Sequence, residues 1–197
     1  MEQLPVLAFG WAGDFESAAI FKILSKICVV LVIISNAFFA SAIPEISITN
    51  PKNLSSIELI YNRASFKAFI LSSIYMLAIF LFLPIIINIF STEISYSNLI
   101  FLFLGNLIIV FSGPVNQALI IFYLQKYLMK ILLISFLITS PLTIILIFNY
   151  GLLGAIISLI LFNLFWIVPS LFKFYLSNKI NLYLKYYCYQ KLVGSNK

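Results

Sequence analysis

Residues 15–43 narrow what this chain can become more than any other stretch. The run opens on Asp14 and Glu16, carries Lys22 and Lys26 one helical turn apart, and is apolar from there to Pro44. Crossing the roughly 30 Å hydrocarbon layer takes about 20 residues of helix, and this run has them. Comparable runs follow at about 66–90, 96–124, 128–148 and 152–176. Backbone in hydrocarbon must satisfy its own hydrogen bonds, so each run reads as a helix. The expected fold is an all-α polytopic membrane protein: five transmembrane helices plus the tail end of a sixth, with a basic tail over 177–197.

The composition agrees with a bilayer as solvent. Hydrophobic residues make up 63% of the chain and charged residues 9%, against about 25% charged in a soluble domain. The net charge of +6 is spread over connections and the tail. That pattern reads as membrane topology, and no nucleic-acid partner is expected. There is no histidine; Cys28 falls in a span and Cys188 in the tail, without partners at metal-ligand spacing. Free thiols, no metal site and no cofactor are the expectation. Residues 1–14 carry Glu2 and no basic start, unlike a signal peptide, and Leu4 to Ala12 is too short to span. They read as the last turns of a helix that begins before Met1, followed by an outer loop.

Along the chain, Asp14 and Glu16 favour a helix start. Residues 44–65 turn polar, and Ser55-Ser56-Ile57-Glu58 fits a capping box from which a helix can run on into the second span. The link 91–95 holds Glu93 and no basic residue, Gly113-Pro114 interrupts the third span, and Gln125 to Lys130 reads as a tight basic link. Pro141 lies mid-way in the fourth span, Asn149-Tyr150-Gly151 is a minimal turn, and Pro169 sits near the end of the fifth. Lys52, Arg63, Lys67, Lys126, Lys130, Lys173 and the tail lysines alternate onto one side if five spans are counted. The positive-inside rule makes that side cytoplasmic, with the C-terminus inside. Another helix before Met1, running outward, would complete this topology.

Intramembrane ionisable groups are the first candidates for function. Lys22 and Lys26 lie about 40° apart on a helical wheel, with Asn36 about 40° to the other side of Lys22. They fit a cationic cavity wall suited to an anionic ligand such as a phosphate; alternatively both stems snorkel to the outer interface. Asn106, Gly113, Asn116 and Gln117 form a second polar seam, and Gly113, Pro114 and Pro141 are hinge candidates. The seam can line a cavity or bond to a neighbouring helix. Asn163 and Trp166 read as interior packing and interfacial anchoring, and the small pairs at Gly151/Ala155 and Gly154/Ser158 as close helix packing. No carboxylate lies in the body of a span, and no phosphate-binding glycine loop is present. Catalytic residues are therefore not expected, and the chain does not read as an enzyme.

Three stretches resemble a known family. Gly13-Asp14-Phe15-Glu16-Ser17-Ala18-Ala19-Ile20-Phe21 with Lys22 and Lys26, Gly113-Pro114-Val115-Asn116-Gln117-Ala118-Leu119 with Lys126, and Asn149-Tyr150-Gly151-Leu152-Leu153-Gly154-Ala155 stand in the order and spacing of its C-terminal half. The chain resembles the O-antigen-type (Wzx-like) lipid-linked oligosaccharide flippases, polysaccharide biosynthesis proteins of the MOP superfamily that also contains the MATE exporters. The resemblance implies one lobe of a two-lobed, alternating-access transporter in the bacterial inner (plasma) membrane. It implies membrane lipids, an undecaprenyl-pyrophosphate-linked oligosaccharide and the missing N-terminal lobe as partners. Lys22, Lys26 and Asn36 are the positions it would set against the pyrophosphate. An inactive or structural membrane fragment, and a multidrug exporter of the same superfamily, are the alternatives.

Overall fold

The computed structural model describes residues 3–48, 54–90, 95–113 and 115–178. Among them the protein is all-α: α1 (Gln3–Ala12), α2 (Phe15–Ile48), α3 (Leu54–Phe90), α4 (Tyr96–Ser112), α5 (Val115–Ile121) and α6 (Gln125–Asn178). Four stretches are long and apolar enough to cross a bilayer: Phe15–Ile46, Ser56–Ile85, Tyr96–Ile121 and Gln125–Ser177.

A few residues set the reversals between helices. Gly13, at φ +77, closes α1: its N–H donates to the Gly10 carbonyl at 3.3 Å, and the Asp14 N–H to the Phe9 carbonyl at 3.0 Å. These paired bonds make a Schellman cap, which wants a residue with positive φ. Asp14 then caps α2, accepting the Ser17 N–H at 3.0 Å. Hydrogen bonds from the Ser17 side chain and backbone hold the Asp14 carboxyl below its ordinary range. The end of α5 repeats the device with a less suitable residue: Tyr123, at φ 58, occupies the left-handed position. There Tyr123 N–H donates to Ile120 and Leu124 N–H to Leu119.

The longest element is not one rod. Gly151 breaks α6 with φ 53 and ψ −129, and a Cβ on Gly154 would collide with the Leu146 carbonyl. Residues eight apart touch only if the chain doubles back; on a straight helix they are about 12 Å apart. At the far end, Tyr127 Oη donates to the Pro169 carbonyl at 3.3 Å. The arms 125–150 and 152–178 are therefore antiparallel. Ser135, Thr139 and Thr143 are buried on the first arm. Thr139 and Thr143 each return their hydroxyl to the carbonyl four residues back, so these hydroxyls cost little when covered.

Several boundaries differ from the sequence expectation. α2 continues through Pro44 to Ile48, because Ala42 and Ile46 bury in the core beyond it. α3 runs unbroken from Leu54; Ile57, Tyr61, Ala64 and Ala68 form a buried stripe at helical spacing that tertiary packing holds helical. Ser55 thus already lies inside the helix. The turn expected at Gln125 to Lys130 lies earlier, at residues 122–124, and Lys126 and Lys130 belong to the first turns of α6. The links 49–53 and 91–94, Pro114 and the tail 179–197 lie outside the described residues.

The core is stacked in layers along the bundle. One joins the end of α2, the start of α3, α5 and both outer ends of α6 through Phe39, Tyr61, Leu119, Leu128, Trp166 and Phe174. Another joins the start of α2 to the end of α3 and to α4 through Leu24, Leu31, Leu83, Leu102 and Phe103. A third ties α1 to α2 and the α6 turn through Phe9, Phe21, Ile147 and Ala155. Arg63, Lys67, Lys126, Lys130 and Lys173 all flank residues of the first layer. Lys22 and Lys26 flank the second. The bundle thus has one end rich in cations, reached from three different helical segments.

Much of the apolar surface of α3 and α6 turns outward. In α3 only 17% of its most apolar 18-residue window is buried. Ile74, Leu77, Leu81 and Ile85 form one exposed stripe, a face that in water would aggregate and in lipid needs no partner. The protein is built as a multi-pass membrane protein.

Candidate functional site

A cavity of about 440 Å³ opens between α1, α2, α4 and the second arm of α6, within the range of small-ligand sites. Gln3 comes from α1, Ser25, Cys28 and Val32 from α2, and Asn106 and Asn163 from α4 and α6. The α1–α2 reversal at Gly13 brings Gln3 beside Lys22, whose Nζ donates to Gln3 Oε1 at 3.1 Å. Lys22 therefore reaches the cavity mouth through a residue that lines it.

Close approach of α4 and α6 shapes the opposite wall. A Cβ at Gly105 would stand 2.5 Å from Ile160 Cγ1, so only glycine lets these helices meet as they do. Asn163 Nδ2 donates to the Gly105 carbonyl at 3.4 Å, and Asn106 Nδ2 to the Leu102 carbonyl at 2.9 Å. With both amide nitrogens tied to backbone, the amide oxygens are the acceptors left for a ligand. Ser25 gives its hydroxyl to the Lys22 carbonyl at 3.0 Å. The lining contains amides, a hydroxyl, a thiol and apolar groups, and no carboxylate.

Of the residues singled out in the sequence, Asn106 lines the cavity and Lys22 stands at its mouth. Lys26 is exposed, about 40° further round α2, and does not line it. Asn36 is exposed and meets Gln117 in a long polar contact, Nε2 to Oδ1 at 3.5 Å, linking α2 to α5; neither lines the cavity. Asn116 Oδ1 is buried without a hydrogen-bond partner. Gly113 separates α4 from α5 with φ 67. Pro141 is exposed within a continuous helical arm and does not line the cavity. Sequence reasoning misses Gln3, Ser25, Cys28 and Gly105, and takes Asn163 for packing. A pairing signal exists: Asn106 and Asn163 are amides in the bodies of two spans, but their meeting depends on Gly105. Trp166, 6% exposed, is a core residue and not an interfacial anchor.

No protein-family model, no curated protein and no solved structure matches this chain. Function is therefore read from the site itself.

Proposed function

We propose that this chain is one lobe of a transporter that moves an undecaprenyl-pyrophosphate-linked oligosaccharide, such as an O-antigen or capsule repeat unit, across the bacterial inner membrane. The observation that carries the reading is the cavity, with Asn106 and Asn163 in its wall, Lys22 at its mouth and no carboxylate in its lining. Sugar hydroxyls are donors that suit amide oxygens, and a phosphate suits an ammonium that already exchanges a hydrogen bond with a neutral amide. A multidrug exporter of organic cations fits less well, because its cavity would want an acidic group. The positive-inside rule favours the cytoplasm for the cation-rich end and the outer leaflet for the cavity mouth near Lys22. In this reading the partner lobe supplies the facing wall, and the break at Gly113 gives α4 and α5 a joint about which the lobe can rearrange.

The test is transport in proteoliposomes that hold this chain with its partner lobe and a labelled undecaprenyl-pyrophosphate oligosaccharide. Labelled lipid should appear in the opposite leaflet faster than in protein-free vesicles. Lys22→Ala and Asn106→Leu/Asn163→Leu should each slow it at least about tenfold, the loss of roughly one charge-assisted hydrogen bond, and Lys26→Ala much less. Equal rates with and without protein would remove the proposal; equal losses at Lys22 and Lys26 would remove the role given to this cavity.

A further inference from the structure

The foot of the α6 hairpin carries three lysines, one of them over an aromatic ring. Lys126 and Lys130 lie on the first turns of the element and Lys173 near its end. The antiparallel arms bring them to the same end of the bundle. Lys173 Nζ stands 5.8 Å from the centre of the Tyr127 ring, and Tyr127 is itself fixed by its hydrogen bond to the Pro169 carbonyl. Nearby, Phe122 and Phe174 pack edge to face at 5.2 Å. A lysine at a helix end ordinarily snorkels freely into water. Lys173 is instead half-buried, parked on a fixed ring face, and Lys130 follows Tyr127 by one helical turn. The acidic residues of this end, Glu45 and Glu58, belong to α2 and α3, whose Ile46 and Ile57 share the first core layer with Leu128 and Phe174. Neither arm of the hairpin carries a carboxylate.

Clustered ammonium groups on one face repel each other, and the repulsion grows in the low dielectric of the interfacial layer. An arrangement that holds them together calls for an external anion at membrane-interface depth. We infer that Lys126, Lys130 and Lys173 bind the phosphodiester of an anionic lipid headgroup in the leaflet at the cation-rich end. The site shares no residue with the cavity lining, and it does not depend on what the cavity carries. Exposed Tyr123, in the adjoining turn, adds an aromatic side chain of the kind that settles at the headgroup level.

The experiment is thermal unfolding of the full chain in a neutral detergent, with phosphatidylglycerol or phosphatidylcholine titrated into the micelles. Phosphatidylglycerol should raise the midpoint saturably, and phosphatidylcholine should not. Lys130→Gln and Lys173→Gln should each raise the half-saturating phosphatidylglycerol concentration about fivefold, as expected for one lysine at a membrane surface. Tyr127→Leu should weaken binding in the same direction, and Lys173→Arg should retain it. Lys67→Gln removes a cation of the same end on α3 and should leave half-saturation almost unchanged. Equal effects at Lys67 and Lys173 would mean a diffuse surface potential and overturn the site. An equal midpoint rise with inorganic phosphate would overturn a lipid as its occupant. If a variant fails to fold, native mass spectrometry of the unaltered chain decides: preferential retention of phosphatidylglycerol supports the site, and no preference over phosphatidylcholine rejects it.

Discussion

Two glycines three residues apart hold the α6 reversal by different means, and this allows a quantitative test. Gly151 has φ 53 and ψ −129, and no atom lies within 4 Å of where a Cβ would stand. Gly151→Ala therefore meets no neighbour and is opposed only by its backbone conformation, at about 1–3 kcal/mol. Gly154 is the converse. A Cβ there overlaps the Leu146 carbonyl and crowds the Ile147 nitrogen, backbone atoms that cannot rotate aside as a side chain would. Overpacking of this kind costs about 1–3 kcal/mol or more, and the arms must part at their base. Gly10 is the control: it lies inside α1, has no positive φ, and has open space around it. Gly10→Ala should be neutral or stabilising by up to about 1 kcal/mol. For a chain of this size 1 kcal/mol moves a melting midpoint by about 2–4 °C. Gly151→Ala should lower the midpoint in detergent by several degrees, Gly154→Ala by at least as much, and Gly10→Ala not at all. Both penalties act on one turn, so the double variant should lose less than the sum. If Gly154→Ala melts with the parent, Leu146 and Gly154 are not in contact. The second arm then does not fold back, and the placement of Lys173 beside Tyr127 falls with it.

Three further outcomes are expected. Gly105→Ala should destabilise the α4–α6 contact by about 1–3 kcal/mol by displacing Ile160, and adding Ile160→Ala should recover part of the loss; simple additivity in the melting series would count against the close approach. Tyr123→Gly relieves a left-handed tyrosine, a strain of about 1–2 kcal/mol, partly offset by the entropy glycine gains in the unfolded chain. A midpoint raised by about a degree or more is expected, and a fall would show that backbone strain is not the dominant effect there. Asp14→Ala should cost about 0.5–2 kcal/mol through loss of the α2 cap. The Asp14 carboxyl is held below its ordinary range in the folded protein, so its contribution is full above the unfolded carboxylate value near about 3.9 and fades as pH falls through the folded one. The difference between parent and variant should therefore be constant from about pH 7 to pH 5 and shrink below about pH 4; a difference that grows on acidification would contradict the assignment.

The cavity is only partly legible in the primary structure. Asn106 stands out as an amide in an apolar run, and Lys22 as a charge inside a span. Gln3 does not, because it borders the cavity only through the reversal at Gly13, and nothing around Gln3 itself marks it. Asn163 is equally opaque, since its partner is a backbone carbonyl 58 positions away. Boundaries shift where burial outweighs a local signal. Proline at 44 removes one hydrogen bond, yet Ala42 and Ile46 on either side are buried, and α2 continues.

What the residues determine alone is the solvent and the repertoire. Runs this apolar can satisfy their backbone in hydrocarbon only as helices, and Asp14, Gly113 and Gly151 mark where helices start, break or turn. Which side chains meet is decided by tertiary structure. Helix faces that look equivalent in an apolar sequence become distinct only when glycines at 105 and 154 make room for the Ile160 side chain and the Leu146 carbonyl. That fit places Asn163 against α4, and the antiparallel return of α6 sets Lys173 over Tyr127. Short-range chemistry sets the elements; long-range packing, which no local pattern encodes, sets the site.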